Sequence, residues 1–398
     1  MSAGATLRRD DIIDLLQTLV RTPSVNGADA ERDVVEVVAA FARAHGLAVE
    51  TTALDPARPN VLVRLGPPGP PGLLLVAHTD TVAAGDATAW THPPFAADID
   101  AGRLYGRGAV DNKGGLAAAM AALLLLKDGP PLARPVLLAG VPDEEAGATG
   151  VLGVKHLHAV GKLAGRGAIY TYPGTQHIVL GHRGLYRLAL TAHGQAVHSG
   201  SLEWQAGEGV NAATGMAEIA LELEQLRFAT PSAGLFAPFR TVVTPTILRG
   251  GVGPSMVPDR CEAYVDIRLV PDVPPEAVDA AVRAVIDAVM ARRPGLRVEY
   301  RVDVSAPPTI IPTDAPVVVA LREAATQILG RAPTLTVSGP ANESYLLNGY
   351  GIPTCVFGPE GGGAHAADEY VDIDSIFAVA EVYAATARTL AQEDADAV

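Results

Sequence analysis

GLLLVAHTD, residues 72–80, carries an unbroken apolar run straight into a histidine and an aspartate. An apolar run this short, bounded by polar residues, reads as a strand buried on both faces. VLVRL (61–65) and PVLLAGVPDEE (135–145) read the same way, and Gly115 to Lys127 reads as an Ala/Leu helix. Strand, helix and strand in succession imply a sheet covered by helices on both sides. Such sheets put their ligand sites at the carboxyl ends of the strands. HTD (78–80), DEE (143–145) and the later AHAADE (364–369) all follow apolar, strand-like runs.

Outward from this stretch, the 398 residues are too many for one simple core, so two domains are expected. Hydrophobic residues make up 48% and charged residues 19%, a globular balance. The net charge of −14 argues against a nucleic acid or an anionic membrane as partner, because both need clustered Lys and Arg. The N-terminal MSAGATLRRDDIIDLLQTLV has two Asp where a signal peptide would be apolar. It reads as an amphipathic helix with Ile12, Leu15, Leu16 and Leu19 on one face. No apolar run reaches the ~20 residues of a membrane span. Cys261 and Cys355 lie in no C-x-x-C motif, so reduced thiols and a cytoplasmic setting are expected.

The texture changes near residue 183. RLALTAHGQ (187–195) alternates, a helix follows at about 211–226, and TVVTPTILRGG and CEAYVDIRLV read as strands. PPEAVDAAVRAVIDAVMARR reads as a second amphipathic helix and LRVEYRVDV as another strand. From about 303 helix and buried strand alternate again. The expectation is an α/β fold with a mixed sheet between helices, split as 1–183 and 302–398, with an α+β sandwich inserted at 184–301.

The chemistry-bearing residues sit at the strand ends. His78 and Asp80, two apart, suit a metal ligand with the carboxylate that orients it; alone, such a pair is more often polar surface. Asp111 lies in the glycine-punctuated LYGRGAVDNKGG before a helix, as a metal carboxylate or as an N-cap. Glu144 and Glu145 divide naturally into a general base and a metal ligand, or form a solvated acidic turn. His365 follows a glycine loop, FGPEGGGAHAADEYV.

In this order and at these positions, the motifs resemble the metallopeptidase and deacylase family of acetylornithine deacetylase, succinyl-diaminopimelate desuccinylase and glutamate carboxypeptidase. The resemblance extends to AVHSG, VNAATG and MVPDRCEAYVDIR in the inserted segment. It implies a zinc-peptidase-like catalytic domain and an inserted lid and dimerisation domain. It further implies one or two zinc ions (cobalt or manganese being alternatives), with His78 a ligand of one, Asp80 its support and Asp111 the bridge. Glu145 and His365 would hold the second ion, and Glu144 would be the base that activates water. His198 resembles the histidine that reaches the scissile carbonyl, often across a dimer interface. Arg268 resembles the arginine that holds the substrate carboxylate, with Ser255 where the family has Asn. Asn342 and Glu343, in SGPANESYLL, fall at a polar turn near the family's active site. The implied substrate is an N-acyl amino acid or short peptide, and the implied assembly a homodimer.

The pattern breaks at one ligand. The family supplies a further carboxylate to the His78 metal, in an E-P-T-like turn; here the matching AIYTYPGTQHIVLGHRG has Tyr172, and residues 159–187 contain no Asp or Glu. A phenol with an ordinary pKa of ~10 is a poor substitute, although His177 and His182 are near in sequence. Three outcomes stand: one metal on Asp111, Glu145 and His365; two metals with an unusual ligand; or hydrolysis lost in favour of acyl transfer or condensation. A ligand-binding protein without catalysis is the remaining alternative.

Overall fold

A computed structural model describes residues 9–145, 147–230 and 234–392. The first eight residues of the N-terminal stretch, read above as carrying no leader pattern, lie outside them. The chain divides into two compact units: 1–181 with 310–336 and 342–398, and 182–309 with 337–341.

The first unit is built on a mixed sheet. Its strands run in the order Ala48–Thr52, Asn60–Leu65, Val136–Val141, Leu73–His78, Ala168–Tyr170, Thr354–Gly358, Gly174–His182, Thr309–Ile310. The four central strands, Val136–Val141 to Thr354–Gly358, are mutually parallel. Leu73–His78 and Val136–Val141 are buried at every residue, as their unbroken apolar sequence requires. Helix Gly114–Lys127 has no polar face: twelve of its fourteen residues are buried. The stretch 109–127 is long and apolar enough to span a membrane by composition, but 94% of it is enclosed in the unit, which makes it a core helix. Arg9–Arg21 buries Ile12, Leu15, Leu16, Leu19 and Val20, the expected face and one residue more. A small antiparallel sheet joins Arg103–Tyr105 to Tyr370–Asp372.

The second unit is a four-stranded antiparallel sheet, in the order Val242–Gly250, Arg260–Leu269, Gly184–His193, Arg297–Ala306. Along Gly184–His193 and Arg260–Leu269 burial alternates residue by residue, the mark of a sheet with one packed face. Leu188, Leu190, Val265 and Ile267 meet Met216, Ile219, Val282 and Ile286 of helices Ala212–Glu224 and Pro275–Arg292 in one core. Strand Arg297–Ala306 pairs with Gly184–His193 across the 301/302 position, so this unit reaches Thr309.

Candidate metal centre

The register of the central strands brings the motifs together. His78 ends its strand opposite Val141, so DEE begins two residues past the same sheet edge. Val76 pairs with Tyr170, which places Tyr172 at that edge as well. Asp111 comes from the turn before helix Gly114–Lys127. That helix starts so close to the end of Ala168–Tyr170 that a Cβ on Gly115 would sit 2.2 Å from Thr171 O. His365 hangs from the small sheet, five residues before Tyr370, with a left-handed φ of 62°. A histidine held in this conformation is strained, and such residues cluster at functional sites.

Asp111 is central. Its Oδ1 lies 2.9 Å from His78 Nε2 and its Oδ2 3.4 Å from His365 Nε2, which is also 3.2 Å from Glu145 Oε1. Donors about 2.0–2.1 Å from one tetrahedral ion sit about 3.3 Å apart. The His365 contacts match that edge; the His78 contact has the length of a hydrogen bond. Among the described residues two groups have ligand atoms within 4.8 Å of one another: Asp111, Glu145 and His365, and His78, Glu144 and Glu145. The donor set of imidazole and carboxylate fits zinc, cobalt or manganese.

The charges follow from this packing. Burial works to raise the Asp111 carboxyl, but hydrogen bonds from His365 and His78 outweigh it and hold the group below the usual carboxylate range. His365, bonded to Asp111 and Glu145, is pushed up to about 10. Burial opposes the charge on His78, yet Asp111 and Asp80 raise it well above its ordinary value. Glu144 is raised to about 8, chiefly by burial. A buried carboxyl placed in that range can take a proton and return it near neutral pH.

Asp80 faces His78 and holds the next motif as well. His78 Nδ1 lies 2.9 Å from the backbone carbonyl of Asp80 and 3.6 Å from its carboxylate, which helps to raise the imidazole. The carbonyl holds the Nδ1 proton and aims Nε2 at Asp111, so that loss of the Nε2 proton would leave the tautomer a ligand needs. The carboxylate also accepts the backbone N–H of Glu144 at 3.3 Å, that of Glu145 at 3.0 Å, and Asn26 Nδ2 at 2.7 Å. Asp143, with φ of 77°, pins the following loop by accepting from Thr149 Oγ1 and Val151 N.

Tyr172 sits between two rings, 5.1 Å from Tyr170 and 5.3 Å from His78, and is close enough to Glu144 to act on its carboxyl. Burial, then the charges of Glu144 and Asp111, push the phenol well above 10, so it is neutral. Behind it, Tyr170 donates to buried Glu343 at 2.9 Å; burial and the charge of Glu144 push that carboxyl well above its ordinary value. His177 does not approach His78: its Nδ1 lies 2.5 Å from Thr334 Oγ1. Asn342 Oδ1 accepts Ser344 N at 2.9 Å.

In the second unit, His198 and Ser255 are exposed neighbours: His198 bridges to Met256, and Ser255 O accepts Ser199 N at 3.0 Å. Arg268 lies at the far end of Arg260–Leu269, its Nε donating to Asp266 at 2.8 Å. At about 3.3 Å per residue the strand separates Arg268 from the Pro258–Asp259 turn by roughly 25–30 Å. Within one unit, Arg268 and the His198–Ser255 pair are therefore not brought together.

Residues 74–389 match the model of peptidase family M20/M25/M40. The chain belongs to this family. It is a metal-dependent hydrolase of amide C–N bonds, and this favours hydrolysis over the acyl-transfer alternative. A succinyl-diaminopimelate desuccinylase of Rhodospirillum centenum is 32% identical over 392 residues, covering 94% of this chain and 95% of that one. An acetylornithine deacetylase of Proteus mirabilis is 29% identical, covering 91% and 92%. The fold is that of an M20 family metallo-carboxypeptidase from Sulfolobus solfataricus, with a TM-score of 0.78 at 19% identity over 98% of this chain and 100% of that one.

Proposed function

We propose that the protein removes the acyl group from an N-acyl amino acid, or cleaves a short peptide, with Glu144 as general base. The observation that carries this is the set of edges among Asp111, Glu145 and His365, with the Glu144 carboxyl, at about 8, beside it. A zinc ion on those three residues, when bound, would polarise water and the substrate carbonyl. Glu144 takes the proton as water attacks and hands it to the leaving amine. Its position is steered by the Asp80 grip on its backbone N–H. Cobalt or manganese would serve the same donors.

We assign one ion to the site. Around His78 the third donor is a buried phenol, raised well above its ordinary value by burial, which leaves that position without its carboxylate. Elemental analysis of the purified protein tests this: one metal per chain is expected, with activity lost on exhaustive chelation. Two per chain would overturn the single-ion assignment, and full turnover after chelation would overturn the metal reading itself.

The second unit supports a lid and dimerisation role. Arg268 would hold the substrate carboxylate, and His198 with Ser255 would come to the same substrate from a second copy, since one strand keeps them apart in a single chain. Cys261 and Cys355 are free and buried, which fits a cytoplasmic setting.

A further inference from the structure

We infer that Glu369 is a positioning residue that sets Asp111 and His365 against one another and thereby governs how tightly the metal is held. This rests on the reading of Asp111, Glu145 and His365 as the metal site. Tyr105 pairs with Tyr370 in the small antiparallel sheet, so the segment leading to Asp111 leaves the sheet beside the one arriving from His365. Glu369 stands at that junction, fully buried. Its Oε1 accepts the backbone N–H groups of Val110 and Asp111, each at 3.0 Å. Its Oε2 accepts Gly108 N at 3.0 Å and Arg107 Nη1 at 2.5 Å. Arg107 returns the tie: its Nη2 donates to Ala366 O, next to His365, at 3.1 Å.

The clamp is reciprocal. A carboxylate from the His365 segment holds the backbone of 108–111, and a guanidinium from the Asp111 segment holds the backbone at 366. Four donors on one buried carboxylate leave little freedom, and hydrogen bonds to a charged acceptor are stronger than neutral ones. Neither Glu369 nor Arg107 touches a ligand side chain, so both act through the loops they tie. Glutamine at 369 keeps the shape but replaces one acceptor oxygen with an N–H₂ group, which must face either two backbone N–H groups or Arg107.

The test measures zinc bound to the full-length protein by elemental analysis after equilibrium dialysis against metal buffers, with turnover against free zinc as a second readout, for wild type, Glu369→Gln and Glu369→Asp. Groups that orient ligands cost about 10–100-fold in metal affinity when lost. Glu369→Gln is expected to weaken zinc binding by that much, with kcat recovering to within a few-fold of wild type at saturating zinc and KM unchanged. A merely structural role would lower the unfolding midpoint without a metal-rescued kcat. If Glu369→Gln does not fold, Glu369→Asp and Arg107→Lys carry the test, each weakening zinc affinity in the same direction. Unchanged affinity in the folded variants overturns the inference. His365→Ala is the separate control: if it leaves zinc affinity intact, the metal-site reading has failed, whatever Glu369 does.

Discussion

Asp111 Oδ2 lies 3.4 Å from His365 Nε2, although 254 residues separate the two in sequence. The contact joins the turn before a core helix to a loop of the small sheet, and it divides the site into residues that hold and a residue that reacts. Asp111→Asn keeps the volume but removes the charge both histidines face, so zinc content is expected to fall to near zero, and activity with it. Glu144→Gln is expected to keep its zinc while kcat falls by about 10²–10⁴, the contribution of a positioned base. Elemental analysis beside turnover separates the two. Equal metal loss in both would remove the distinction.

Asp80 tests how the base is aimed. Its carboxylate holds the backbone N–H groups of Glu144 and Glu145, whereas the His78 tautomer is set by the Asp80 carbonyl, which a side-chain substitution leaves in place. Asp80→Asn turns an N–H₂ group toward Asn26 or toward the Glu144–Glu145 backbone. kcat is expected to drop about 10–100-fold with zinc content retained. Zinc loss comparable to that of Asp111→Asn would show that the contact with His78, and not the hold on Glu144, is the main role of Asp80.

These contacts mark where sequence reasoning stopped. The strand ends were legible, because unbroken apolar runs must be buried and buried parallel strands present their ends at one edge. The helices were legible from their spacing, down to Ile12, Leu15, Leu16 and Leu19. What Asp80 holds was not: the pairing of His78 with Val141 puts DEE beside HTD, and no local pattern encodes that register. Glu369 was visible as part of AHAADE, but its partners at 107–111 come from the other strand of a sheet only three residues long there. Hydrogen bonds to backbone N–H groups carry no sequence signature at the donor end, which is why the clamp and the Asp80 grip both escaped.

Tyr172 is the test of metal number. Its phenol is buried beside Glu144, and its ring packs against His78. Tyr172→Glu supplies an anionic oxygen where the sequence resemblance implies one. The zinc count is expected to rise from one per chain toward two. Two zinc ions already present in wild type would mean that His78 and Asp111 suffice without the carboxylate.

The second unit has its own pH dependence. Asp279 accepts Tyr300 Oη at 2.8 Å, Arg283 Nε at 2.9 Å and Tyr186 Oη at 3.2 Å. Burial works to raise its carboxyl, but the bond from Arg283, then that from Tyr300, holds it below the ordinary value. The depressed group binds its proton later than the unfolded chain does. Its stabilisation is therefore full above the unfolded value of ~3.9 and fades as pH falls through the folded one. Asp279→Asn is expected to cost about 1 kcal/mol at pH 7, reduced by its solvent contact, and to flatten the acid limb. With Trp90→Phe in both proteins, Trp204 in the second unit becomes the sole tryptophan and reports urea unfolding at each pH. A stability difference between the two proteins that stays constant as pH falls through the acid limb would refute the assignment.

His198 and Arg268 belong to one unit but to opposite ends of its sheet, which makes complementation between chains the decisive experiment. If His198 serves the partner's active site, a chain with Glu144→Gln and a chain with His198→Ala are each inactive as homodimers. In the hybrid, the Glu144 of one chain meets the His198 of the other. One of its two sites is then intact and the other carries both defects. Random pairing makes half the dimers hybrids, so about a quarter of wild-type activity is expected from an equal mixture, and about half from hybrids purified on two tags. The homodimers set the baseline. No recovery in purified hybrids would mean that each chain completes its own site, and that His198 reaches the substrate by a movement of its own unit.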